Sequence, residues 1–330
     1  MIEMTYAEAL ALGLTECLDK DPRVILINAG FGGLTPHRNS YAVLRQKYAD
    51  RITDAPIAEL GYCGIAIGAA MTGLRPIVAL STAAFSFEAW PQIVNEAAVA
   101  CYGSAGQVTA PVVFHMLTGI RGAGAVQHSH APQAMFCNAP GLQVVTPGTP
   151  ADARGLMRTA ALASNNPTIF IDHARLQGVK GEVDKAAAAV PFGMAEVKRQ
   201  GSDVTIVAVS IMVPRALEAA EVLAREGISA EVVDPRTLVP LDKMTILKSV
   251  AKTGRVVVAD ESPLTCGVAA ELAAVIVEHG FESLKAPIRR VGIPNVPIPY
   301  HEAEEDFITP TATKIIAAAR SLWRAGSGAT

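Results

Sequence analysis

Short apolar runs alternate with longer amphipathic stretches along most of the chain. Thr5 with Glu8 three residues on has the spacing of a capping box and predicts a helix reaching about Asp19. Val24–Ile27 reads as a strand, followed by a loop holding Gly30, Gly32 and Gly33. A small-residue helix is predicted from about Cys63 to Met71, then a buried strand over Pro76–Ser81 and a helix over Ser86–Tyr102. Strands are expected at Val112–Met116, Gln143–Thr146 and Thr168–Asp172. Between the last two, Thr149-Pro150-Ala151-Asp152 has a capping threonine, a proline at the first helical position and an acid at the third, which predicts a helix to about Ala163.

The alternation fades from Gln177 to Gly201, which reads as an extended connection. A second alternating unit follows. Strands are expected at Val204–Val209, Ala230–Asp234, Arg255–Asp260 and Ile288–Val291. Helices are expected at Pro214–Arg225, Leu241–Ala251, Cys266–His279 and Thr311–Leu322, with a loose tail from Arg324. Strands alternating with helices argue for an α/β fold whose parallel sheets are covered by helices.

Composition narrows the class. Half of the 330 residues are hydrophobic and 18% are charged, enough for a large core and too apolar for disorder. The net charge of −3, with no basic run, argues against a nucleic-acid or anionic-membrane surface as the main role. Mean hydropathy is +0.31, yet no apolar stretch approaches the ~20 residues of a membrane span. Alanine and glycine supply much of that hydropathy, which fits buried surface, subunit interfaces included. The N-terminus has no basic segment followed by an apolar one, so a secretory signal is not expected. Five cysteines without a CxxC pair read as buried thiols in a reducing, cytoplasmic setting, with no zinc site.

Three stretches carry candidate chemistry. Asn28-Ala29-Gly30-Phe31-Gly32-Gly33 follows a strand, but it lacks a third glycine and a following helix start, so a glycine-rich loop near a subunit contact fits better than a dinucleotide fingerprint. Glu59 enters a helix of small residues; it reads either as a proton-exchanging carboxylate near a packed interface or as an exposed acid favoured by the helix dipole. His128, in Gln127-His128-Ser129-His130, follows a strand and a glycine-rich loop; it reads either as a substrate-facing group or as ordinary polar loop. No GxSxG elbow or phosphate loop is present.

These motifs together resemble the β subunit of thiamine-diphosphate-dependent 2-oxo acid dehydrogenase E1 components, of the pyruvate, branched-chain and acetoin type and related to transketolase. The strongest stretch is Ala55-Pro56-Ile57-Ala58-Glu59-Leu60-Gly61-Tyr62-Cys63-Gly64-Ile65-Ala66-Ile67-Gly68-Ala69-Ala70-Met71, then Gly73-Leu74-Arg75-Pro76. Gln127-His128-Ser129, Asn138-Ala139-Pro140-Gly141-Leu142, Asp234-Pro235-Arg236-Thr237-Leu238-Val239-Pro240-Leu241-Asp242 and Asp260-Glu261-Ser262-Pro263 extend it over nearly the whole chain. The resemblance implies a pyrimidine-binding domain over residues 1–190 and a transketolase C-terminal-like domain over 191–330. It implies an α2β2 heterotetramer in which the α subunit holds the diphosphate and Mg²⁺ while this chain binds the aminopyrimidine, with a lipoyl-bearing E2 as acceptor. The helix Cys63–Met71 would pack at an interface. Glu59 would be the catalytic acid that hydrogen-bonds the pyrimidine and favours its imino form, Phe85 would pack on that ring, Leu60 would line the pocket, and His128 would face substrate and lipoyl group.

The chain also departs from the pattern. Where the family usually has Gly-Glu-Glu after the first strand, Ile27-Asn28-Ala29 stands, which puts proton coupling between two active sites in doubt. Small residues occupy Ser81-Thr82-Ala83-Ala84 where bulky aromatics are common, and the 119–126 loop brings Arg121 and His130 as candidate specificity groups. These departures raise a second expectation, an E1-like pair that makes or cleaves acyloins or ketols without E2. A partner-binding subunit with no chemistry of its own is the third.

Overall fold

In the first unit, β1 (Ile2–Thr5) hands over to α1 (Tyr6–Lys20) at Thr5, whose hydroxyl accepts the Glu8 N–H at 3.2 Å while its own N–H donates to the Glu8 carboxylate at 2.8 Å. The capping box is therefore complete. The computed structural model describes residues 1–28 and 38–327. The chain divides into two units, residues 1–119 with 127–192, and residues 120–126 with 193–330. The glycine-rich stretch Ala29–Gly33 lies outside the described residues.

After β2 (Val24–Ile27), the first unit continues through α2 (Arg38–Lys47), β3 (Ile52–Thr53), α3 (Glu59–Met71) and β4 (Arg75–Thr82). It goes on through α4 (Ala100–Gly103), β5 (Val113–Thr118), α5 (Ala125–His128, begun by residues of the other unit), α6 (Gln133–Cys137), β6 (Gln143–Val145), α7 (Pro150–Arg158), β7 (Thr168–His173) and β8 (Lys180–Val183). Strands β6, β7, β5, β4, β2 and β3 lie side by side in that order, all parallel. Every residue of β7 is buried, as a strand covered on both faces requires. Strand β1 pairs antiparallel with β8, Ile2 opposite Val183.

Helix α1 packs on α7, and Gly13 is why they come so close: a Cβ there would sit 3.1 Å from the Arg154 carbonyl oxygen. Arg154 is buried and pairs with Glu16 at 2.9 Å, and it also donates to the carbonyls of Asp184 at 3.0 Å and Lys185 at 2.8 Å. Tyr6 anchors the start of α1 to the sheet through a 2.5 Å bond to Asp172, whose other oxygen meets His115 at 2.6 Å.

The second unit holds β9 (Glu196–Arg199), β10 (Val204–Ala208), α8 (Met212–Arg225), β11 (Ala230–Asp234), β12 (Thr237–Val239), α9 (Lys243–Thr253), β13 (Val256–Pro263), α10 (Val268–Gly280), β14 (Arg289–Ile293), α11 (Glu302–Ile308) and α12 (Ala312–Ser327). Its sheet runs β14, β13, β10, β11, β9, parallel except for β9. Helices α8 and α9 pack on β10 and β11, and α10 and α12 on β13 and β14. The segment 120–126 belongs here because Ile120 joins Ile293, Ile298 and Ile308 in a buried cluster. Its backbone is also held, with the Ile120 N–H on Glu261 at 2.8 Å and the Ala123 N–H on Glu305 at 3.0 Å.

Several expectations need correction. The helix expected over Ser86–Tyr102 is broken into a 3-10 segment (Ala83–Ala89), a π segment (Pro91–Ala97) and α4. Pro91 lacks an N–H, which prevents a continuous α-helix. The helix expected to Ala163 turns into a π segment at Thr159. The supposed extended connection supplies β8 and β9. Only Cys17 and Cys63 are buried thiols; Cys101 and Cys137 are half-buried and Cys266 is exposed.

Candidate active site

Helix α3 starts at Glu59 itself, four residues before the expected Cys63. Its N-cap, Ala58, has no side chain able to accept the first N–H groups, so Glu59 is the one acidic group in the positively polarised first turn. Pro56 holds the preceding backbone extended. The helix buries Tyr62, Cys63, Ala66, Ile67 and Ala70 on its inner side. Glu59 is half-buried and Leu60 is exposed, as are Ile57 at 95% and Ile65 at 68%. The expected interface helix therefore presents an uncovered apolar side with Gly61 and Gly68 between the larger residues. Burial, and then the neighbouring Glu59 charge, push the Cys63 thiol up to about 12. The same two causes raise the Tyr62 phenol.

Behind α3 lie the segments Ala83–Ala89 and Pro91–Ala97; Gly64 brings α3 close enough that a Cβ there would touch Gln92 at 3.7 Å. Strand β4 loses its regular register after Ala79, Ser81 takes a φ of 61°, and the chain leaves the sheet into the turn that carries Phe85. Ala83 and Ala84 are buried in this turn and Phe85 is half-buried.

His128 arrives from β5. Gly119 follows that strand with φ 102°, and a Cβ on it would lie 1.9 Å from the His173 Nε2. His128 ends the four-residue α5 and is exposed, so it is not the loop residue expected. Its imidazole makes a T-shaped contact with Phe85, ring centroids 5.5 Å apart and planes at 88°. A second ring pair stands beside it in sequence, Phe87 with His130 at 5.7 Å. Thr118 donates its hydroxyl to the His130 carbonyl, and burial pulls the His130 imidazole below its ordinary range. Ser129 between the two histidines is buried, and its hydroxyl makes no hydrogen bond among the described residues.

The structure thus brings Phe85 and His128 together and packs the segment that carries Phe85 against the helix that opens with Glu59 and Leu60. A half-buried carboxylate, an aromatic ring and exposed aliphatic groups suit a flat heteroaromatic ring with hydrogen-bonding nitrogens. Among the described residues no group of three or more His, Cys, Asp or Glu could hold a metal ion, and no helix is long and apolar enough to cross a membrane.

Comparison with known proteins matches residues 2–178 to the transketolase pyrimidine-binding domain and residues 193–315 to the transketolase C-terminal domain. The chain is 41% identical to the β subunit of acetoin:2,6-dichlorophenolindophenol oxidoreductase of Cupriavidus necator, over 96% of this chain and 98% of that one. It is also 41% identical to the mitochondrial pyruvate dehydrogenase E1 component subunit beta-2 of Oryza sativa subsp. japonica, over 98% of this chain and 87% of the relative. The chain belongs to the β subunits of thiamine-diphosphate-dependent 2-oxo acid dehydrogenase E1 components. A solved split-gene transketolase, described as an inactive β4 tetramer, superposes with a TM-score of 0.79 at 28% identity, covering 97% of this E1 β chain and 98% of the transketolase chain. Glu59, Leu60, Phe85 and His128 all fall inside the pyrimidine-binding match of this E1 β subunit.

Proposed function

We propose that this chain is the cofactor-activating half of an E1 enzyme, active with an α subunit in an α2β2 assembly. Residues 1–190 form its pyrimidine-binding domain and residues 191–330 its C-terminal domain. When bound, thiamine diphosphate supplies a thiazolium carbon that adds to a substrate carbonyl and takes up the electron pair as CO₂ leaves. The α subunit holds the diphosphate and Mg²⁺ in this reading; the present chain has no Gly-Asp-Gly…Asn motif.

This chain's residues then have defined tasks. Glu59 holds and releases a proton at its carboxyl oxygen against the aminopyrimidine. Phe85 packs on the ring face and fixes its plane, and Leu60 excludes water from the same side. His128, exposed and steadied by Phe85, orients the substrate carboxylate and serves the transfer of the acyl group to a lipoyl-bearing E2. The observation that carries the reading is Glu59 at the uncapped start of α3, a helix that packs against the segment carrying Phe85, whose ring in turn meets His128.

The small buried pair Ala83 and Ala84 favours a second substrate reading, acyloin or ketol cleavage without E2. A relative named for acetoin supports it. A reducing, cytoplasmic site of action goes with either reading.

Co-expression with an α subunit tests the proposal. The purified complex is assayed with a panel of 2-oxo acids and acyloins, using ferricyanide and lipoyl acceptors. Glu59→Gln is expected to lower turnover by about a hundredfold or more. Full turnover in that variant removes Glu59 from the mechanism. Turnover of acyloins alone selects the second reading.

A further inference from the structure

The sheet of the second unit reverses its direction of growth beside β10. Helix α8 leads from β10 to β11 on one side, and α9 returns the chain past β10 to β13 on the other. The crevice outside the carboxyl ends of two strands that flank such a reversal is where α/β sheets receive ligands. Glu261 lies at that end, two residues beyond Ala259, where the pairing of β13 with β10 stops. It is buried, and one of its oxygens meets Arg215 of α8 at 2.7 Å. The other accepts the Ile120 N–H at 2.8 Å. The group held there is thus a piece of the chain itself, the segment that runs into α5.

A second buried carboxylate holds the same segment. Glu305 of α11 is 1% exposed. One of its oxygens accepts the Ala123 N–H at 3.0 Å, and the other has no hydrogen-bond partner among the described residues. A buried carboxylate with one oxygen unused is a poor device for stability, because a single hydrogen bond does not offset its desolvation. It does fix Ala123. That residue and Ala125 have φ of 50° and 55°, a left-handed conformation that alanine keeps only where its surroundings impose it. Ala125 opens α5 and His128 closes it, one helical turn later. The direction of the imidazole therefore follows from where Ala123 and Ala125 are held.

We propose that Glu305, together with Glu261, is a positioning residue for His128, acting through the backbone from Ile120 to Ala125. The proposal rests on the reading of His128 as a substrate-facing group given above. The second unit then uses its strand-end crevice to grip a loop of its own chain. Without the Ala123 tie the strained turn relaxes, and His128 leaves the direction in which it meets the Phe85 ring.

The test uses the α/β complex with the wild-type chain, Glu305→Leu, Glu305→Gln, Ala123→Pro, His128→Asn, or Glu305→Leu combined with His128→Asn. Leucine fills the buried place without an acceptor and glutamine keeps one. Proline removes the Ala123 N–H at an exposed position. The readouts are kcat/KM with the 2-oxo acid or acyloin that the wild-type complex turns over, melting temperature, and hydrogen exchange over residues 120–128. Glu305→Leu and Ala123→Pro are each expected to lower kcat/KM about tenfold, as a small misplacement of a reacting group does. Exchange should quicken in both while the melting temperature holds. Glu305→Gln should stay within about threefold of wild type, since the acceptor remains. With His128→Asn already present, Glu305→Leu should lower kcat/KM no further.

Wild-type kcat/KM in Glu305→Leu and Ala123→Pro, with His128→Asn impaired, overturns the inference and leaves the His128 reading in place. An undiminished effect of Glu305→Leu on the His128→Asn background overturns it too, as does a loss in Glu305→Gln as deep as in Glu305→Leu. Full turnover in His128→Asn overturns both readings. If Glu305→Leu fails to assemble, Ala123→Pro decides, and wild-type kcat/KM there overturns the proposal. If His128→Asn is too slow for the comparison, exchange decides, and unchanged exchange over residues 124–128 in Glu305→Leu overturns it.

Discussion

The Phe85 ring stands at right angles to the His128 imidazole, 5.5 Å between centroids and 88° between planes. One residue comes from the turn after β4 and the other from the helix after β5, so adjacent parallel strands deliver both to the same end of the sheet. An exposed histidine on a four-residue helix has few other restraints. Phe85→Ala is expected to lower kcat/KM of the α/β complex about tenfold, from the ~0.5–1.5 kcal/mol of the ring pair and the lost packing surface. Phe85→Leu should fall between the two. Steady-state kinetics checks this; an unchanged kcat/KM in Phe85→Ala would show that His128 does not depend on that ring.

Gly119 is expected to tolerate no side chain. Its φ of 102°, and the His173 Nε2 lying 1.9 Å from where a Cβ would stand, leave no room for alanine. His173 cannot swing away cheaply, since it is buried and its Nδ1 accepts the Arg175 N–H at 3.1 Å. Gly119→Ala should cost at least about 2 kcal/mol in urea unfolding, combining backbone strain and the clash.

Arg154 ties α7 to α1 and to the chain after β8. Arg154→Met would remove one of the two arginine partners of half-buried Glu16, which keeps Arg158, together with the donors to the Asp184 and Lys185 carbonyls. A loss of about 2 kcal/mol is expected. Glu16→Gln should lose only about 1 kcal/mol, because the guanidinium keeps its carbonyl partners. Denaturant midpoints of the two variants test the order; equal losses would contradict it.

The second unit should weaken in acid. Burial opposes ionisation of Glu231, but Lys252, Ser249 and the Gly201 N–H outweigh it and hold the carboxyl below its ordinary value near 4.5. Asp242, likewise disfavoured by burial, is held below its ordinary value by Thr245 and backbone N–H groups. A carboxylate depressed in the folded state contributes stability above its unfolded pKa and loses it as pH falls through the folded one. Unfolding free energy should therefore decline below about pH 4.5. Glu231→Gln should flatten that decline, measured by urea unfolding across the acid range; an unaltered slope would remove Glu231 as a cause.

Much of this protein was written in local sequence. The alternation of apolar runs and amphipathic stretches set the α/β class, and Thr5 with Glu8 located the first helix, because capping and periodicity depend on residues a few positions apart. The run from Pro56 to Met71 marked Glu59 by its motif alone. Tertiary structure decided the rest. Only the order of strands brought Phe85 to His128, since that pair meets across separate strands and helices. The membership of residues 120–126 in the second unit was likewise a packing outcome: a buried isoleucine cluster and carboxylates that accept backbone N–H groups claim that segment, and neither is visible in a local window.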